Sequence, residues 1–247
     1  DMPRGRIDLR KLWFLRRSIK SYGPDVVQTW MYHADLFGGL AARLAGVRNI
    51  CWGVRNTSLD RSTTSRSTIV VAKLCAAVSK FLPRHIICAA EASRIAHEKI
   101  GYDSHRMRVV NNGYDFSLFS SDNHARQRTR ASIGIGEQDE LIGFVARYDI
   151  IKGHVDLLEA LRVLRTRGLR PKCLLVGTGL DPDNSDFQQE IIQRQLEDQV
   201  ILFGPSTDIP GIMNALDVHV MPSLSEGFPN VLAEAMSCGT PCITTDV

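Results

Sequence analysis

The chain has 247 residues, 44% of them hydrophobic, and 30 Lys+Arg stand against 27 Asp+Glu, a formal net charge of +3. This is enough apolar mass for one large or two medium domains, while apolar runs such as Thr68 to Val78, interrupted by Lys73, are too short to span a bilayer. The charge is unevenly placed. Through Ile135 there are 22 Lys+Arg against 10 Asp+Glu, net +12; from Gly136 onward there are 8 against 17, net −9. Two blocks of opposite sign point to two domains. The basic block suits nucleic acid, anionic lipid or an anionic acceptor, and no aromatic-interleaved basic motif favours nucleic acid. The six cysteines lie mostly in apolar or strand-like stretches without metal-ligand spacing, as in a reduced cytosolic interior.

In chain order, Ile7 to Tyr22 reads as an amphipathic helix, apolar at Leu9, Leu12, Trp13 and Ile19 and basic at Arg10, Lys11, Arg16, Arg17 and Lys20. Such a helix suits a membrane surface, but the strand Asp25 to Thr29 follows at once, which favours a packed crossover helix. Helix and strand then alternate: helix Ala34 to Ala45, strand Asn49 to Val54, helix Ile69 to Phe81, strand Arg84 to Ala89, helix Glu91 to Ile100, strand Val109-Val110. Asn111 to Phe119 is a polar turn. Ser120 to Arg130 reads as a charged loop, and the domain division is placed at 120, giving domains 1–120 and 121–247. Alternation restarts with strand Leu141 to Ala146, helix Val155 to Arg167, strand Cys173 to Val176, helix Phe187 to Leu196 and strand Val200 to Phe203. The short helix Ile209 to Ala215, strand Asp217 to Met221, a helix through Asn230 to Met236 and a strand from Pro241 complete the chain. The pattern predicts an α/β fold of doubly wound parallel sheets.

Open parallel sheets bind ligands at the carboxyl ends of their strands. That rule gathers Arg147, Lys152 and Gly153 after one strand, Gly177-Thr178-Gly179 after the next, and Ser223, Glu226 and Gly227 after a third. The last group opens S-E-G-F-P-N-V-L-A-E-A-M-S-C-G-T-P, Ser225 to Pro241, in which seven residues separate Glu226 from Glu234. At ~1.5 Å rise per residue the two carboxylates stand about 12 Å apart if both are helical, a spacing for two ends of a large ligand. A helix N-terminus between them, with its free N–H groups, suits phosphate. Two cations, a glycine turn and that terminus describe a diphosphate site that needs no metal, hence a sugar-nucleotide site. Asp181-Pro182-Asp183 follows a glycine turn and reads as a solvated loop rather than a metal-binding D-x-D. The arginines at 162, 165, 167 and 170 fall at a helix end, where cations suit the dipole.

This constellation resembles the retaining family 4 glycosyltransferases of the GT-B fold. E-G-F-P-N-V-L-A-E matches the family's E-x7-E signature, V-A-R-Y-D-I-I-K-G its Arg…Lys-Gly phosphate segment with Ala146 where glycine is common, and N-N-G-Y-D-F-S-L-F its P-N-G-V-D-x-x-x-F hinge with Asn111 in place of proline. The resemblance implies two Rossmann-like doubly wound domains facing across a cleft. It also implies a fragment, lacking an initial strand with its glycine-rich loop and the closing helices.

The roles it implies are these. Glu234 binds ribose hydroxyls, and Glu226 contacts the transferred sugar and helps hold charge near its anomeric carbon. Arg147 and Lys152 neutralise the leaving diphosphate, Gly177 and Gly179 shape its turn, and the segment Gly227, Phe228, Pro229, Asn230 and Val231 caps the phosphates. His33 faces the reacting centre. The implied substrate is a UDP- or GDP-linked sugar, with no cofactor and no metal. The implied acceptor is a glycan or lipid-linked, at the cytosolic face of an anionic membrane and without nucleic acid. A GT-B epimerase, a glucan synthase and a non-catalytic nucleotide-binding protein use the same pocket and stay open alternatives.

Overall fold

The computed structural model describes residues 9–57, 59 and 64–246; Ile7 and Asp8, where the sequence starts the first helix, lie outside them. The chain forms two compact units, one of residues up to 112 together with 226–228, the other of 113–225 and 229–247.

The first unit runs α1 (Leu9–Tyr22), β1 (Val26–Trp30), α2 (Tyr32–Leu44), β2 (Asn49–Val54), α3 (Arg66–Val78), β3 (His85–Cys88), α4 (Glu91–Lys99), β4 (Met107–Val109). Its sheet is parallel, with strand order β1-β2-β3-β4. Right-handed crossovers that all step the same way put their helices on one face. That face carries Ile50, Trp52, Val54, Ile86, Cys88 and Met107, buried against Tyr32, Ala42, Ala72, Cys75 and Ala76 of the helices. The small residues of α2 have a use here: a Cβ on Gly39 would stand 2.8 Å from Trp52 Nε1, so glycine lets the helix lie on the sheet. Helix α1 packs on α2, with Leu12 buried and the Arg16 guanidinium donating to the Leu44 carbonyl at 3.0 Å. Trp13, expected on the packed face, is instead 58% exposed. At ~100° per residue it falls about a quarter-turn from Leu12, and the Arg16 guanidinium lies 4.8 Å from its ring centroid.

The second unit runs α5 (Asn123–Ser132), β5 (Leu141–Val145), α6 (His154–Thr166), β6 (Lys172–Val176), α7 (Ser185–Gln193), β7 (Val200–Gly204), α8 (Ile209–Ala215), β8 (Val218–Met221), α9 (Asn230–Ser237), β9 (Cys242–Thr244). Strand order is β7-β6-β5-β8-β9, all parallel. Winding goes out through β6 and β7, then returns past β5 to β8, so helices cover both faces. The period of two along β6 shows this: Leu174 and Val176 enter one core with Ile212, Met213 and Leu216, while Cys173 and Leu175 enter the other with Leu158, Leu161 and Phe187.

One expectation is overturned. Ser120 to Arg130 is no loop: α5 starts at Asn123, capped by Asp122, whose Oδ1 accepts from the amides of His124 and Ala125 at 2.8 and 3.0 Å. Two of its three arginines are structural. Arg126 donates to the last carbonyls of α8 and to Asp217 Oδ1 at 2.5 Å, and Arg130, 2% exposed, reaches Asp217 Oδ2 at 3.4 Å and the Ala215 carbonyl at 2.9 Å. Asp217 also accepts from the Leu141 amide at 2.7 Å, tying the foot of β5 to β8. The arginines of α6 pair likewise, Arg162 with Glu159 and Arg165 with Asp198.

Candidate active site

In the second unit the strand order reverses between β5 and β8, the topological switch point at which open α/β sheets bind ligands. The eight residues from Ala146 to Gly153 join β5 to α6 there. Asp149 organises them: its Oδ1 accepts from the Ile151 amide at 3.1 Å, starting a short 3-10 turn that ends at Lys152, and its Oδ2 accepts from Arg147 Nη2 at 3.0 Å. These contacts, the amide first, hold the Asp149 carboxyl below its ordinary range. Arg147 itself remains 69% exposed. Gly153 closes the turn at φ 70, and a Cβ there would stand 2.2 Å from the Pro222 carbonyl oxygen. The loop after β8 is therefore seated on the loop after β5, and the Leu224 amide donates to the Ile151 carbonyl at 2.8 Å.

Beneath the turn lies an aromatic floor. His154, buried at the start of α6, has its ring centroid 4.7 Å from Phe144, 5.6 Å from Tyr148 and 6.1 Å from Phe187. Burial pushes its imidazole down to about 4, and that of His219 on β8 likewise, so both rings are neutral at pH 7. The positive charge of the turn is carried by Arg147 and Lys152.

The glycines after β6 serve the same packing. A Cβ on Gly177, at φ 150, would meet the Ala146 carbonyl oxygen at 2.0 Å, and the Tyr148 amide donates to the Thr178 carbonyl at 2.8 Å. The close backbone approach that the glycine pair permits is to the Arg147 loop. Asp181 and Asn184 fold the D-P-D segment onto Gly179: Asp181 Oδ2 accepts from its amide at 3.3 Å, and Asn184 Nδ2 donates to its carbonyl at 2.6 Å. Among the described residues no three His, Cys, Asp or Glu side chains gather as metal ligands would.

Helix α9 begins at Asn230 after Pro229, next to β8, and carries Val231 and Glu234. Glu234 is half-buried, and desolvation raises its carboxyl above the ordinary range. Asn230 Oδ1 accepts from the Tyr114 hydroxyl at 3.1 Å. The second unit thus brings Arg147, Lys152, Gly177, Gly179, Pro229, Asn230, Val231 and Glu234 onto the loops and helix end at the carboxyl edge of one sheet. Glu226, Gly227 and Phe228 group with the first unit. So does His33, an exposed residue just after β1 and in the first turn of α2, a helix that starts two residues earlier than the sequence placed it. Its neighbours are held firmly: Met31, preceding the helix, has φ 74 and ψ 148, Tyr32 Oη meets His97 Nε2 at 2.8 Å, and Thr29 Oγ1 donates to buried Asp35 Oδ1 at 2.6 Å. Asp149 and Tyr114 escaped the sequence reading; the R-x-D spacing of Arg147 and Asp149 was the available signal for the first.

Residues 125–247 match the family model described as Glycosyl transferases group 1, and residues 1–118 match Glycosyltransferase Family 4. The chain belongs to the family 4 glycosyltransferases. It is 32% identical to EpsF of Bacillus subtilis (strain 168), an alignment covering 94% of this chain and 60% of the relative. It is 27% identical to the UDP-Gal:alpha-D-GlcNAc-diphosphoundecaprenol alpha-1,3-galactosyltransferase of Escherichia coli, over 97% of this chain and 62% of that one. Among solved structures, Anabaena Alr3699/HepE in complex with UDP-glucose superposes with a TM-score of 0.82 at 22% identity, covering 96% of this chain and 65% of that one. The sucrose-phosphate synthase of Thermosynechococcus elongatus gives 0.80 at 21%, covering 100% and 63%. These likenesses establish the GT-B fold, and the chain spans about three fifths of the length of the curated relatives it matches.

Proposed function

We propose that this family 4 member transfers a sugar from a nucleotide diphosphate sugar to a glycan or lipid-linked acceptor with retention and without a metal. The second unit supplies most of the donor groups, and the first unit the acceptor side. The observation that carries this reading is the assembly of Arg147, Lys152, the α9 N-terminus and Glu234 at the switch point of one doubly wound sheet. Glu234 takes the ribose hydroxyls. Arg147, Lys152 and the amides of Phe228 to Val231 hold the diphosphate, with Gly177 and Gly179 keeping the cationic turn in place. Glu226 and His33 serve the transferred sugar.

In the step itself the bond from the anomeric carbon to the diphosphate breaks and a bond to the acceptor oxygen forms on the same face. The acceptor proton passes to the departing phosphate oxygen. The positive charge that develops on the sugar ring and the negative charge on the diphosphate are met by preorganised groups, which is where most of the acceleration arises. The E-x7-E pair acts as a clamp on sugar and ribose. It is no hydrolytic acid and nucleophile.

The relatives support the substrate class. One is named for a UDP-galactose donor and a diphosphoundecaprenol-linked acceptor, and a structural neighbour is solved with UDP-glucose. No described helix is long and apolar enough to cross a membrane. In this reading the protein works in the cytoplasm, and its basic first block draws it to an anionic membrane face.

Titration of UDP and GDP into the wild-type chain and the variants Lys152→Ala and Glu234→Gln tests the site. Each variant should bind roughly ten- to a hundredfold more weakly, as expected on losing a charge-assisted contact of about 1.5–3 kcal/mol. Unchanged affinity in both would refute the pocket.

A further inference from the structure

The loop Asn111 to Phe119 contributes more to the second unit than a connection. Phe119 packs against the core beside Ile212 and Met213. Before it, Asp115 closes a tight turn: its Oδ1 accepts from the amide and hydroxyl of Ser117 at 2.9 and 2.5 Å, and its carbonyl accepts from the amides of Leu118 and Phe119, both at 3.1 Å. The backbone just after Tyr114 is therefore fixed by contacts that belong to this unit.

From that anchored position the Tyr114 hydroxyl donates to Asn230 Oδ1, at the first residue of α9. Glu234 lies four residues further on, one turn along the same helix face. Burial, and after it the negative charge of Glu234, raise the Tyr114 phenol above its ordinary range. The ring thus lies within electrostatic reach of the carboxylate assigned to ribose.

We propose that Tyr114 belongs to the nucleoside half of the donor site, its ring lining the space for ribose and base and its hydroxyl fixing the Asn230 side chain at the helix end. The assignment rests on the reading of α9 as the donor helix. A phenolic oxygen both donates and accepts, so the group that donates to Asn230 is also an acceptor for a ribose hydroxyl. The ring supplies a flat apolar wall of the kind on which bases stack. Glu234 and Tyr114 then read the nucleoside from the helix and from the loop, while Arg147 and Lys152 read the phosphates.

The test separates the two halves of the ligand. Calorimetric titration of the 247-residue chain with UDP and with inorganic pyrophosphate is compared for wild type, Tyr114→Ala, Tyr114→Phe and Lys152→Ala. Tyr114→Ala should weaken UDP about tenfold and leave pyrophosphate within about twofold, and Tyr114→Phe, keeping the ring, should weaken UDP about threefold. Lys152→Ala should weaken both ligands. If Tyr114→Ala weakens both equally, the residue acts on the phosphate end and the proposal falls. If Tyr114→Ala binds UDP as wild type does while Lys152→Ala does not, the proposal falls and the donor site stands. If Lys152→Ala also binds both normally, the donor site itself falls. Should Tyr114→Ala lose its cooperative thermal transition, Tyr114→Phe decides: wild-type UDP affinity would overturn the role of the hydroxyl.

Discussion

Each unit sets candidate residues at a corner where a strand turns into a helix, and the two corners are built by opposite means. Between β1 and α2 the turn is one residue long and is made by Met31, a non-glycine residue at φ 74, above a buried network of Thr29 with Asp35 and Tyr32 with His97. Between β5 and α6 the turn has eight residues, glycine takes the left-handed position, and the cations lie above a floor of neutral rings. The first corner stores strain and buries a carboxylate. The second keeps its charge toward water, because an unpaired buried cation costs several kcal/mol. A corner that presents one imidazole can be short and rigid; one that holds cations toward water needs length.

The contrast can be broken at three points. Gly153→Ala should have the largest effect, about 4 kcal/mol or outright unfolding, because its Cβ would meet the Pro222 carbonyl at 2.2 Å in a left-handed conformation. Urea denaturation checks it, and a loss below about 1 kcal/mol would show that the second corner is as yielding as an ordinary loop.

Asp35→Asn comes next, through pH. Burial pushes the Asp35 carboxyl up to about 7 from an ordinary 3.8. Between those values the folded protein keeps a proton that the unfolded chain has released, so raising the pH favours unfolding. The stabilisation is full below about pH 4 and is lost as pH rises to 7, on the order of 4 kcal/mol at about 1.4 kcal/mol per pH unit. The asparagine variant should flatten that slope, measured as the difference between the two stability profiles. His154 and His219 in the second unit run the other way: their lowered values give stability present above about 6.5 and lost as pH falls toward 4.

The smallest effect is at Met31. Met31→Gly should raise stability by about 1 kcal/mol by relieving the left-handed backbone, and Met31→Val should lower it by a similar amount. Equal melting temperatures for the two variants would remove strain from the description of the first corner.

The alternation of strands and helices was legible throughout, with ends displaced by one to three residues, because period and glycine punctuation are local signals. Helix α5 was not. It has no apolar stripe, only Ala125 and Arg130 being buried among its ten residues, and it is held by Asp217, some ninety positions away. Trp13 was misplaced for the opposite reason: an apolar side chain was assigned inward, where geometry turns it out beside Arg16. In the proposed donor site Arg147, Lys152 and Glu234 follow from strand ends and motif spacing. Asp149 and Tyr114 acquire meaning only from what they touch, and the partner of Tyr114 is 116 residues distant.

The strand order of the second unit has a kinetic side. Its switch point depends on Ile142 lying beside Val218, a pairing across 76 positions, whereas β5 and β6 pair Leu141 with Lys172. Closing the longer span costs more chain entropy, about 0.6 kcal/mol for each doubling, and distant pairings slow folding. The crevice cannot exist until the chain has gone out to β7 and come back. It is therefore made late, by the same return that gives it two walls from remote parts of the sequence.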